Sequence, residues 1–153
     1  MQATKTVLDR KNDVEMTEIS KTKLSELSDE IMKLSEDIVI VAIFEKRGNL
    51  ILREVRKKYE KRFKGLSKQL KNNVVRSVLM LSMAGSGDRL LGKTQYVLIC
   101  RKNYKSLVQD FPSTNLTLRI TFKNRMYGKI LHNQLDPLLR KYARELRPPR
   151  SSA

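Results

Sequence analysis

The chain lacks most of what reaction chemistry needs. It holds one cysteine, Cys100, and one histidine, His132, among 153 residues. One cysteine forms no intrachain disulfide and builds no thiolate metal site. One histidine supplies neither a His pair nor a histidine-rich metal site, so no metal and no cofactor are predicted. Cys100 closes the run Tyr96-Val97-Leu98-Ile99-Cys100, where a buried, inert thiol is expected. Long apolar runs are missing too. Ile38–Phe44 and Val74–Ala84, the latter broken by Arg76, are far short of the roughly 20 residues of a membrane span. Met1-Gln2-Ala3-Thr4-Lys5 lacks the apolar run of a secretory signal. These absences predict a cytoplasmic protein in a reducing compartment, with no transmembrane segment. After residue 55 the only carboxylates are Glu60, Asp88, Asp110, Asp136 and Glu145. The three aspartates fall at turns or caps, where Asp serves the backbone. His132 is expected on a helix surface or at the core edge rather than as a base. No nucleophile–base–acid trio assembles from this set, and a non-catalytic protein is expected.

What is present is charge, unevenly distributed. Residues 1–55 hold nine Lys/Arg against eleven Asp/Glu, and residues 56–153 hold twenty-three against five. A net charge of +16 exceeds what solubility needs and points to an anionic partner, either nucleic acid or an acidic protein surface. The opposite balance of the front part also raises the possibility that it masks the basic surface. Forty per cent apolar residues with 31% charged is a globular composition, of a size for one domain with a real core.

Met16, Ile19, Leu24, Leu27, Ile31 and Leu34 recur at helical spacing. Ile38–Phe44 reads as a strand buried on both faces. Glu45-Lys46-Arg47-Gly48-Asn49 supplies turn chemistry, and Leu50–Val55 returns as its hairpin partner. Tyr59, Phe63, Leu66, Leu70, Val74, Val78 and Leu81 form a single stripe, predicting one long helix with Gly65 as a possible break. Ala84-Gly85-Ser86-Gly87 ends it. Strands follow at Tyr96–Cys100, Ser106–Phe111 and Leu116–Phe122, the last a clean alternation in which Arg119 and Lys123 face outward as solvated charge. A closing helix runs from Met126 to Leu146, with a kink or restart expected at Asp136-Pro137. The prediction is an α+β fold with a single antiparallel five-stranded sheet flanked by helices, in the order α-β-β-α-β-β-β-α.

That order resembles the roadblock (dynein light-chain 7) family of the profilin-like fold. The matching features are the leading helix ending at Glu36-Asp37, the hairpin turning at Arg47-Gly48-Asn49, the central helix and the meander from Tyr96 to Phe122. With the residues before and after it read from their composition, the expected division is 1–18 as a polar N-terminal arm, 19–147 as a single roadblock-like α/β domain, and 148–153 as a disordered basic tail. The resemblance implies a non-enzymatic homodimer that serves as a platform or regulator for small GTPases. Dimerisation through the central helix and a neighbouring strand would use Val74, Val78, Leu81, Tyr96 and Leu98 here.

Two motifs compete for a functional role. Gly87-Asp88-Arg89-Leu90-Leu91-Gly92-Lys93-Thr94 matches the phosphate-loop pattern, with Gly87, Gly92, Lys93 and Thr94 at its defining positions. The motif needs a strand before it and a helix after it. Here a helical period precedes and a strand pattern follows, so a helix-to-strand connection is expected. The second motif is basic: Arg56, Lys57, Lys58, Lys61, Arg62, Lys64, Lys68 and Lys71, with Tyr59 and Phe63 interleaved and Glu60 the one acid. Its readings are a solvated helix face, a phosphate-contacting nucleic-acid surface, or a surface-lying membrane helix. Cations crowded into the first turns of a helix oppose its macrodipole, which favours an anion there. Arg140, Lys141, Arg144, Arg147 and Arg150 are candidates to extend the patch. The leading expectation is a dimeric interaction module with a basic surface. The alternatives are a sequence-nonspecific nucleic-acid-binding protein and a small nucleotide binder using Lys93 and Thr94.

Overall fold

In the computed structural model, which describes residues 3–7, 18–65 and 69–146, the chain runs β1 (Ala3–Val7), α1 (Glu18–Leu34), β2 (Ile38–Glu45), β3 (Leu50–Arg56), a 3-10 turn (Lys57–Tyr59), α2 (Leu70–Gly85), α3 (Asp88–Leu91), β4 (Val97–Cys100), β5 (Tyr104–Asp110), β6 (Leu116–Lys123) and α4 (Gly128–Leu146). The strands form one antiparallel sheet in the order β1-β3-β2-β6-β5-β4. The five expected strands are all there in the expected order. A sixth, β1, lies in the stretch expected as a polar arm, and pairs along the outer edge of β3, with Ala3 opposite Arg56 and Val7 opposite Leu52. An open strand edge offers a row of unpaired backbone groups, and Thr4, Thr6 and Val7 are β-branched residues suited to filling it.

β2 is buried along its whole length, as its continuous apolar run requires of a central strand. The turn into β3 places Gly48 at φ +95°, a conformation a Cβ would strain. Alternation then sorts the side chains. Val41 and Ile43 join Leu118, Ile120 and Phe122 of β6 on one face. There α1 contributes Leu24, Leu27 and Ile31, and α4 contributes Leu131, Leu135 and Leu139, all essentially inaccessible. At about 1.5–3 kcal/mol for each large apolar side chain buried, this face carries most of the hydrophobic stabilisation.

The opposite face is covered more thinly, by two separate clusters. Ala42, Phe44 and Leu50 pack under Val74 and Val78 of α2. Val39, Ile40 and Val55 pack under Tyr59, with Phe63 and Tyr104 beside them. The predicted single helix from Tyr59 to Leu81 is therefore corrected. Tyr59 belongs to a 3-10 turn, and α2 begins only at Leu70. The two ends of the apolar stripe dock on different patches of the sheet, and the chain breaks near Gly65 to reach both. Leu66, Lys68 and the predicted tail at 148–153 lie outside the described residues, as does Met16, and of Lys71 only the backbone is described. Of the kink or restart expected at Asp136-Pro137, the restart is absent, since α4 runs unbroken from Gly128 to Leu146 with Pro137 inside it. Pro137 and Asn133, whose carbonyl loses its helical donor, are both exposed, so water can take the missing bond.

Candidate interaction surfaces

Arg56 ends β3 on the face covered by α1, and it is only 8% exposed. Its guanidinium donates through Nη2 to the carbonyls of Met32 (2.7 Å) and Ser35 (3.0 Å), and through Nε to that of Ile38 (2.8 Å). The last carbonyls of a helix have no partner within it, and Arg56 supplies those donors from below. The structure thus removes Arg56 from the predicted anion-binding set: its donors are spent on the backbone at the α1–β2 junction.

The remaining basic residues of this segment, Lys57, Lys58, Lys61, Arg62 and Lys64, are exposed around the buried anchor Tyr59. Lys58 and Lys123 lie over the Tyr59 ring, at 5.3 and 5.5 Å from its centroid, and Arg62 lies 5.6 Å from that of Tyr104. Of these cation–π contacts, those of Lys123 with Tyr59 and of Arg62 with Tyr104 hold the loop against the sheet. Because this loop is not the first turn of an α-helix, the macrodipole argument for an anion there falls away. Arg140, Lys141 and Arg144 do not extend it: they sit on α4, across the sheet, where Arg140 pairs with Asp136 and Lys141 with Glu30.

In the single chain the predicted dimer residues face inward: Val74 is buried, and Val78, Leu81, Tyr96 and Leu98 are half-buried. Val74 is 3% exposed and packs on the sheet, with Val78 beside it and Leu81 half-buried on the same side. Tyr96 stacks on His132 of α4 at 4.8 Å, and Leu98 lies against Gly128 at the start of that helix. By alternation Val97 and Ile99 face the α2 side. The stripe that the sequence displays most clearly is the stripe the core uses. What α2 offers outward is a second set, one turn apart: Val75, Leu79 (55% exposed), Met80 and Met83 (74% exposed). Leu90 and Leu91 of α3, each 89% exposed, follow it. α2 packs beside β4 and β5, and among the described residues β4 pairs with β5 alone.

Gly87–Thr94 is a helix-to-strand connection, with α2 before it and β4 after it. Asp88 Oδ1 accepts from the Thr94 amide at 3.0 Å and from its hydroxyl at 2.5 Å. The hydroxyl that a phosphate loop gives to Mg²⁺ is here closing the loop on itself. His132 lies at the core edge, its Nδ1 2.8 Å from Gln109 Oε1. Cys100, expected buried, is exposed, because it ends the edge strand of the sheet. Arg119, expected on a solvated face, turns beneath α2 instead and meets Arg53, Arg76 and Arg101 around one cleft. Strand alternation gives its face correctly, but only the path of α2 reveals that this face is covered.

Comparison with protein-family models finds no match, and none of the curated proteins matches. Solved structures do match. MglB of Myxococcus xanthus superposes with a TM-score of 0.66 at 14% identity, covering 90% of this chain and 100% of that one. The gliding protein MglB of Thermus thermophilus gives 0.66 at 11% identity over 90% and 99%. The Roadblock/LC7 domain of Streptomyces avermitilis gives 0.60 at 10% identity over 79% and 95%. Likeness at such identities establishes architecture. The chain shares the fold of these Roadblock/LC7 and MglB structures.

Proposed function

We propose that the chain is a non-enzymatic scaffold or regulator that acts as a homodimer and receives an acidic partner on the basic loop at 57–64. The observation that carries this reading is the apolar stripe Val75, Leu79, Met80 and Met83 left outward on α2 beside the open edge of β4. Exposed apolar side chains grouped on one surface mark an interaction site more often than chance exposure does. Two copies of this stripe would contribute roughly 8 kcal/mol on association, against an entropic cost of about 4–15 kcal/mol. The helix alone is therefore marginal, and pairing of the two β4 edges would add the backbone hydrogen bonds that make the contact stable. Val74, Val78 and Leu81 then hold α2 in place for the contact, while Val97 and Ile99 flank it.

Sedimentation equilibrium of the wild-type chain and of Leu79→Asp tests this. The expected result is a species of twice the 17.8 kDa chain mass for the wild type and a folded monomer for the variant. A wild-type monomer at about 100 µM, or a variant that still dimerises, overturns it.

The anionic partner follows from the exposed Lys57, Lys58, Lys61, Arg62 and Lys64. The roadblock resemblance makes a small GTPase the first protein partner to test. A nucleic acid is the second reading, favoured by exposed cations set beside the half-buried rings of Phe63 and Tyr104, the combination that single strands use.

A further inference from the structure

The thinly covered face of the sheet leaves a gap between its two apolar clusters, and that gap is an open cleft of about 430 Å³. Four arginines reach it from four segments: Arg53 of β3, Arg76 of α2, Arg101 of the β4–β5 turn and Arg119 of β6. Among the described residues lining it there is no aspartate or glutamate. Arg119 is positioned by α2, donating from Nη1 to Ser77 Oγ at 2.8 Å and, more weakly, to the Asn73 carbonyl at 3.4 Å. Its Nε and Nη2 make no hydrogen bond among the described residues. Among the described residues no buried side-chain polar atom lacks a partner, so these donors open to the cleft rather than into the core. Burial, and then the charge of Arg101, pull the Arg119 pKa below its ordinary value; burial does the same to Arg53. A guanidinium stays charged regardless, so the cleft carries concentrated positive potential without internal compensation.

We propose that this cleft binds a compact di- or triphosphate, free or carried on a nucleoside. One carboxylate would balance one arginine; four guanidiniums on one cavity match a multiply charged anion whose oxygens accept paired N–H donors. The volume is that of a small-molecule site. Phe63 and Tyr104, edge to face with centroids 5.4 Å apart, form an apolar wall on which a base can rest. The exposed loop at 57–64 competes poorly for the same ligand, since its charges are solvated and screened within about 8 Å at physiological salt. The site is separate from both Gly87–Thr94 and the α2 stripe, and it stands whether or not the chain dimerises.

Isothermal titration with inorganic pyrophosphate, and in a second arm with a nucleoside diphosphate, tests the proposal at physiological salt. Arg76 and Arg101 are both exposed at the cleft mouth, so Arg76→Gln/Arg101→Gln removes two cleft charges without opening the core. Lys61→Gln/Lys93→Gln removes two charges elsewhere and is the matched control. Submillimolar pyrophosphate binding is expected, weakened roughly hundredfold in the cleft variant and by no more than about twofold in the control. A rise in wild-type melting temperature with pyrophosphate provides a second readout that needs no variant. Tighter binding of the nucleoside diphosphate assigns the aromatic wall to a base; equal binding assigns the site to the phosphates alone. Absence of binding at millimolar pyrophosphate, or equal weakening in the two double variants, overturns the proposal.

Discussion

Replacing Arg56 by methionine should destabilise the fold by about 3 kcal/mol while leaving the exposed basic surface intact. The guanidinium makes three hydrogen bonds of 2.7–3.0 Å to backbone carbonyls at a site only 8% exposed. A hydrogen bond involving a charged group contributes about 1.5–3 kcal/mol. Three from one rigid group are not additive, because backbone relaxation and entering water recover part of the loss. The favourable placement of a cation at the C-terminus of α1 adds about 0.3–1 kcal/mol. Against these stands the desolvation of a buried charge, which methionine relieves. The balance is close to 3 kcal/mol, which for a chain of this length corresponds to a fall in Tm of about 6–12 °C. Urea unfolding followed by circular dichroism reads it directly. Arg56→Lys should recover part of the loss, and Lys57→Met, one residue away but exposed, should stay within about 0.5 kcal/mol. A loss below about 1 kcal/mol in Arg56→Met, or an equal loss in Lys57→Met, would refute the assignment of Arg56 to the α1–β2 junction.

Other consequences follow from charge and burial. Lys61→Glu/Arg62→Glu should leave melting unchanged but lower the salt dependence of oligonucleotide binding, read by fluorescence anisotropy, by about two in log–log slope; an unchanged slope would place the contact elsewhere. Desolvation, followed by the Glu30 carboxylate, pushes the Tyr142 phenol up to about 12. Its neutral form is therefore favoured in the folded state, and its contribution is complete below the unfolded value near 10 and disappears as pH rises through 12. Tyr142→Phe should accordingly remove part of the alkaline loss of stability between pH 10 and 12, and an identical alkaline limb in the variant would contradict this. Arg125, whose Nε donates to Asp37 Oδ1 at 2.9 Å, holds the Asp37 carboxyl below its ordinary value. That stabilisation is present above pH 4 and fades as pH falls through the lowered pKa. Arg125→Gln should move the acid unfolding midpoint upward, and an unmoved midpoint would show the pair to be inert.

What could be read from the sequence was whatever one local period determines. The β2–β3 hairpin is legible because a continuous β-branched run, a Gly-containing turn and a second apolar run admit few other structures. β6 is legible because Leu116, Leu118, Ile120 and Phe122 alternate without a break and line one face. β1 escapes because a five-residue stretch, Ala3-Thr4-Lys5-Thr6-Val7, with no apolar alternation becomes a strand only where the edge of β3 receives it. The long helix misleads because Tyr59, Phe63, Val74 and Val78 keep helical spacing while docking on two different patches. Arg56 looks like one more cation in a basic run, since nothing local shows that β3 carries it beneath the end of α1. The outward stripe of α2 is hidden by its stronger inward one. The arginine cleft is unreadable in principle from local pattern, as Arg53, Arg76, Arg101 and Arg119 are brought together by the sheet order and by the path of α2 across it.

The central claim is that a second copy of the chain closes the open edge of β4 and covers the outward stripe of α2. Hydrogen–deuterium exchange of the Val97–Cys100 amides, compared between wild type and Leu79→Asp at about 100 µM, tests it most directly. The account predicts slow exchange along the outer edge of β4 in the wild type that becomes fast in the variant, with the β2 amides protected in both. Equally fast exchange at that edge in both proteins would leave β4 open in solution and would contradict the dimeric scaffold.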